Sequence, residues 1–145
     1  MNTQRQKYQT QWASQFYAAA ELTRRGYLVS LTFGNAPVAD LLVVSPNQKH
    51  FMVDVKGQSN KNFWLIQPRK YQDDLYFIFV FLPKYLAAPE FFILTCDELI
   101  RKRQFDKART LARKGSYRED VGGMNWGDIL DCKGRWDKLP DFPEI

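Results

Sequence analysis

Apolar positions along this chain fall into two kinds of run. Between residues 8 and 25 they return every three or four positions, through Tyr8, Trp12, Phe16 and Ala19, with Thr23 next in the series. That spacing predicts a helix over 8–25 with this stripe turned to the core. Gly26 is placed to end it. The runs that follow are short and dense, as strands are. They cover 27–33, 40–44, 49–56, a brief 63–66, 75–82 and 90–94. A turn or loop is expected at 34–37, and Ser45-Pro46-Asn47 closes the second run so tightly that the second and third strands should form an antiparallel hairpin. Residues 57–62 and 67–74 are polar, the latter without clear preference. The run 75–82 is almost wholly apolar, as in a strand buried on both faces. A two-proline connection follows at 83–89. Thr95 with Glu98 three positions later has the form of a capping box, so a second helix should start there. Beyond Gly115 the chain is rich in turns, and Trp126, Trp136 and Phe142 are expected to pack back on the body. Helix, several strands and helix again predict an α/β or α+β domain with a mixed sheet.

Set into this pattern are three charged residues where strands disfavour charge. Asp40 opens the second strand, and Asp54 and Lys56 close the third. Side chains alternate along a strand, so Asp54 and Lys56 share one face and Val55 takes the other. If the strands pair, Asp40 comes beside them. Two carboxylates and the Val55 carbonyl are oxygen ligands of the kind Mg²⁺ prefers. Such an ion polarises a phosphoryl oxygen and activates water, and Lys56 can stabilise charge in the transition state. The bare spacing is weak, because Asp-x-Lys on an exposed strand face is usually surface chemistry.

Composition narrows the class. At 145 residues, with 45% hydrophobic residues, one domain spanning 1–145 is the simplest organisation. No apolar run is long enough to cross a bilayer, and the first eleven residues have no signal-peptide core, which points to a cytoplasmic protein. Two cysteines, Cys96 and Cys132, suit a reducing compartment. One histidine, His50, excludes a histidine-rich metal centre. The net charge of +5 is uneven: residues 101–118 carry eight basic side chains against Asp106 alone. A concentrated basic block is the footprint of a polyanion binder, or else an ordinary solvated helix face. Within it Arg101, Lys102, Arg103 and Lys107 are the candidate nucleic-acid contacts.

Four stretches together resemble the PD-(D/E)XK, or restriction-endonuclease-like, phosphodiesterase superfamily, in particular its Holliday junction resolvase-like members. They are the helix exit Ala18 to Tyr27, Pro37-Val38-Ala39-Asp40-Leu41, Val53-Asp54-Val55-Lys56, and the Gln67-x3-Tyr71 spacing. They lie in the first half of the chain. The resemblance implies a three-layer core of αβββαβ order and metal-dependent hydrolysis of DNA phosphodiester bonds with Mg²⁺ or Mn²⁺. It makes Asp40 and Asp54 metal ligands, has Val55 lend its carbonyl, and makes Lys56 the catalytic lysine. Members often act as dimers, so a homodimer belongs to the expectation, alongside DNA as partner. Many members place a glutamate on the first helix where this chain has Gln15. That departure weakens a second metal position and keeps open a catalytically inactive module that binds nucleic acid or protein. Gln58 shares strand parity with Asp54 and Lys56 and is an accessory candidate.

Overall fold

The computed structural model describes residues 3–32 and 39–142. Helix α1 (Gln4–Arg24) is followed by strands β1 (Leu28–Leu31), β2 (Leu41–Val44) and β3 (His50–Gln58). Then come the short β4 (Trp64–Leu65), β5 (Leu75–Phe81), β6 (Glu90–Thr95), helix α2 (Cys96–Lys114) and the short β7 (Gly123–Met124). Five strands form one mixed sheet in the order β1-β2-β3-β5-β6. All neighbours are antiparallel except β3 and β5, which run parallel from Met52↔Leu75 to Gln58↔Phe81. The expected β2–β3 hairpin is present, and β5 is buried along nearly its whole length. This is a mixed α+β architecture with a helix against each face of the sheet.

Alternation along β3 divides the core. Phe51, Val53 and Val55 face α1, where they join Ala18, Leu22 and Tyr27. The opposite face of β5 and β6 presents Phe77, Phe79, Phe92 and Leu94 to Trp64, Leu99 and Met124. Asp54 and Lys56 lie in register with Phe77 and Phe79 on that second face. A parallel pair needs a long crossover, usually helical. Here residues 59–74 make it without a helix, carrying only β4, which pairs with β7. The αβββαβ expectation therefore meets an extended crossover where its middle helix would stand.

Helix α1 turns a different face inward from the one its large apolar residues suggest. Its buried residues are Ser14, Gln15, Ala18, Ala19 and Leu22, while Tyr8 and Phe16 are exposed. The reason is proximity to the sheet. A Cβ built on Gly57 would overlap the Ser14 hydroxyl and come within 3.2 Å of the Thr10 carbonyl. Only small side chains fit where the helix passes over β3, so the aromatics are displaced outward, with Trp12 and Phe16 stacked on each other at 5.8 Å.

Helix α2 begins as expected, with Thr95 and Glu98 capping each other reciprocally. The C-terminal segment also packs on the body. Trp126 stacks on Trp64 at 5.7 Å on one side of the sheet, and the buried Trp136 joins the α1-side core. Between them the chain crosses the outer edge of β6, through a Phe92↔Lys133 bridge and a Gly134 N–H donated to the Phe91 carbonyl at 2.9 Å. Phe142 packs against the α1-side core. Among the described residues no helix is long and apolar enough to cross a membrane. The 34–37 loop, Phe33, and the Pro37-Val38 part of the first motif lie outside the described residues.

Candidate active site

The site forms where β2 stops and β3 continues. Leu41↔Val53 is the last β2–β3 pair, which leaves the β2-facing edge of β3 beyond it without a strand. Side chains take the missing strand's place. Asp40 Oδ2 accepts the Val55 N–H at 2.8 Å. Gln11, from α1, donates Nε2 to the Val55 carbonyl at 2.8 Å and accepts the Gly57 N–H on Oε1 at 3.2 Å. One turn along, Gln15 donates to Asp40 Oδ1 at 3.3 Å. The backbone of Asp40 is held in turn by Thr32, whose N–H meets the Asp40 carbonyl at 3.0 Å. Asp40 and Gln11 thus satisfy buried peptide groups that would otherwise lack partners.

Asp54 and Lys56 do not end their strand, contrary to the expectation from sequence. Strand β3 runs on to Gln58, and both side chains are partly buried within it. Asp54 Oδ2 accepts from Arg69 at 2.6 Å, and that guanidinium also lies 5.2 Å over the Phe77 ring. Asp54 Oδ1 has no hydrogen-bond partner among the described residues, and Lys56 forms no ion pair there. Burial raises the pKa of Asp40 above its ordinary 3.8; the Val55 N–H opposes the shift and the Asp54 charge reinforces it. Burial lowers the pKa of Lys56 below 10.5, with Asp54 opposing and Arg69 reinforcing. Two carboxylates and two cations therefore meet in a poorly solvated corner.

Asp40, Asp54, Val55, Lys56 and Gln58 all line one cleft of about 620 Å³, with Lys7 and Gln11 at its α1 side. The structure brings together every residue of the expected constellation. Gln58 closes the loop between β3 and β4. Its amide donates to the Phe63 carbonyl at 3.0 Å and accepts the Asn62 N–H at 3.2 Å. The other half of the resemblance is less engaged. Gln67 and Tyr71 are exposed, whereas Arg69 between them reaches the site. Gln11 and Arg69 are the residues sequence reasoning missed. The four-residue spacing of Gln11 and Gln15 was the available signal for the first.

The donor set fits a hard divalent cation. Asp40 and Asp54 contribute carboxylates, Val55 a carbonyl with one remaining lone pair, and Mg²⁺ ordinarily keeps several waters besides. No cluster of three or more His, Cys, Asp or Glu side chains suited to a metal occurs among the described residues. Two carboxylates are therefore the acidic complement.

The basic helix is engaged by the protein's own acids. Arg103 is buried, donating to the Ile66 carbonyl at 2.6 Å and to both the carboxylate and the carbonyl of Glu119. Lys102 is tied to Asp131 and the Asp128 carbonyl, Lys107 to Glu119, and Arg101 to Asp97. All four candidate nucleic-acid contacts thus have protein partners. For Arg103 these partners consume the guanidinium in holding α2 to the residue after β4 and to the turn at 119–121.

Comparison with known proteins supplies no relative: no family model, no curated protein and no solved structure matches this chain.

Proposed function

We propose that the chain hydrolyses DNA phosphodiester bonds with the help of a divalent metal ion, in a restriction-endonuclease-like setting. The observation that carries this reading is the convergence of Asp40, Asp54, the Val55 carbonyl and Lys56 on one cleft, from a pattern first seen as residues apart in sequence. Asp40, Asp54 and Val55 would hold Mg²⁺ or Mn²⁺, which supplies Lewis acidity and an activated water. The chain's own residues do the rest. Gln11 and Gln15 fix the Val55 carbonyl and the Asp40 carboxylate in place. Lys56, whose ammonium is poorly hydrated, offers positive charge to the phosphate oxygens as negative charge builds on them. Arg69 holds the Asp54 carboxylate at 2.6 Å, and a bound cation would share that carboxylate with it.

A second reading, an inactive nucleic-acid-binding module, is favoured by the same Arg69–Asp54 contact and by the neutral Gln15 amide. One experiment separates them. Purified protein is incubated with supercoiled, linear, branched and single-stranded DNA in Mg²⁺ or Mn²⁺, beside Asp54→Ala and Lys56→Ala. The enzyme reading expects metal-dependent cleavage reduced by at least ~10²-fold in both variants, the scale of losing one transition-state contact. Absence of cleavage by the wild-type protein on every substrate supports the inactive module, and cleavage indifferent to both substitutions refutes the site.

A further inference from the structure

A second cavity, mainly basic in its charged lining, stands next to the cleft. It measures about 530 Å³ and lies at the C-terminal end of α2, lined among others by Arg113, Lys114, Ser116, Tyr117 and Arg118. In the basic block Arg101, Lys102, Arg103, Lys107, Arg109 and Arg118 each have an acidic partner. Arg113 and Lys114 have none among the described residues, and both are exposed. Cations in a last helical turn also complement the helix dipole. Helix stabilisation alone, however, does not account for a cavity beside them or for what separates that cavity from the cleft.

The separator is Phe63. Its side chain lines both spaces and is 38% exposed. The backbone that carries it is held in place, since Gln58, on the same strand as Asp54 and Lys56, receives the Asn62 N–H and donates to the Phe63 carbonyl. A part-exposed aromatic ring on an anchored backbone, between a phosphate-type cleft and unpaired cations, has the make-up of a single-strand platform. Bases stack on the ring while the backbone follows the positive charge. A base inside a duplex has both faces stacked on its neighbours and none to offer the ring.

We infer that Phe63, Arg113 and Lys114 bind a single-stranded nucleic-acid segment that continues from the cleft, so that the substrate is DNA with an unpaired flank. The inference rests on the phosphodiesterase reading for the identity of the cleft, but not for binding itself. Fluorescence anisotropy in EDTA, with labelled single-stranded and duplex oligonucleotides over a salt series, tests it without cleavage. The double variant Arg113→Gln/Lys114→Gln should weaken single-strand binding about tenfold or more. It should also flatten the slope of log K against log salt by about 1.4, two phosphate contacts' worth. Phe63→Leu, which keeps apolar bulk, and Phe63→Ala should each weaken single-strand binding at least about fivefold and leave duplex binding unchanged. Arg24→Gln, at the C-terminal end of α1 and lining neither cavity, is the control and should change little.

Unaltered single-strand binding in the double variant and in both Phe63 variants, each with wild-type urea midpoints, overturns the inference. So does equal weakening of binding to anionic vesicles, which would mark a general anion surface. A wild-type protein that binds but never cuts DNA removes the phosphodiesterase reading and leaves this platform standing. One that cuts DNA with normal single-strand binding after all three substitutions removes only the platform.

Discussion

At the scale of single residues, the site is a contest between burial and charge. Lys56 is desolvated, and its folded pKa lies below 10.5. Between that lowered value and 10.5 the unfolded chain holds a proton that the folded chain has released, so this group's contribution to stability rises with pH across the window. Below the window the full penalty of the buried ammonium applies. Lys56→Met should therefore be more stable than the wild type at neutral pH, and its advantage should shrink as pH approaches 10. Urea midpoints of both proteins at pH 7 and pH 10 measure this; a gap independent of pH would mean the Lys56 charge is well solvated. Asp40 works in the opposite sense. Its raised pKa makes the folded chain retain a proton just above 3.8, so its contribution to stability falls as pH rises through that range. Both groups weaken the fold where they are charged. Such a cost is common at sites held for chemistry rather than for packing. The Asp40, Asp54 and Lys56 pattern was legible in sequence because alternation along a strand is local. Arg69 was not, because its contact spans 15 positions of chain and no periodicity announces it; for Gln11, whose contact spans 44, the four-residue spacing to Gln15 is the one local signal.

At the scale of elements, the passage of α1 over β3 sets the geometry. Gly57 touches Ser14, and on either side of that contact Gln11 and Gln15 reach the strand edge and its flank. Gly57→Ala would force the helix off the strand. It should destabilise the protein by about 1–3 kcal/mol, as overpacking does, and should weaken the proposed metal-dependent cleavage further than the stability loss explains. Thermal unfolding with activity at a temperature where the variant is fully folded would separate the effects; a variant with both properties intact would show that the helix is free to retreat. The helix itself was legible from its spacing, but its inward face was not. Helical periodicity at Tyr8, Trp12 and Phe16 marks an apolar stripe, and a stripe of large residues cannot lie where backbones approach this closely. The same limit applied to α2. Its capping box is legible from four adjacent residues, while the partners of its basic face are not, because the acids that pair with it, Glu119, Asp128 and Asp131, come from the next segment of chain.

At the scale of the whole molecule, the C-terminal segment is structural. Trp136 is buried between the Phe91 ring, 5.4 Å away, and Arg25, which sits 4.5 Å over its face. Lys138 ties the same segment to Glu98 at 2.8 Å and to the Ile93 carbonyl at 3.0 Å. Trp136→Ala should cost about 3–5 kcal/mol, read as a lowered urea midpoint, although the residue lines no part of the cleft. A loss below about 1 kcal/mol, well short of the usual cost of emptying such a site, would mean the segment is a detachable appendage. The packing of Trp126 and Trp136 followed from their aromatic bulk. The route between them, over the edge of β6, could not be foreseen because sequence gives no sign of which sheet edge a tail will meet.

That route leaves the sheet with unequal borders. The β6 border is occupied midway by Lys133 and Gly134, while the outer border of β1, with Leu28 exposed, meets no further strand among the described residues. A protein with two open borders can add copies without end; one with a single open border can add only one. Among the described residues the border free to extend this sheet is that of β1, and two copies paired there would close as a two-fold pair, while the tail obstructs the same pairing at β6.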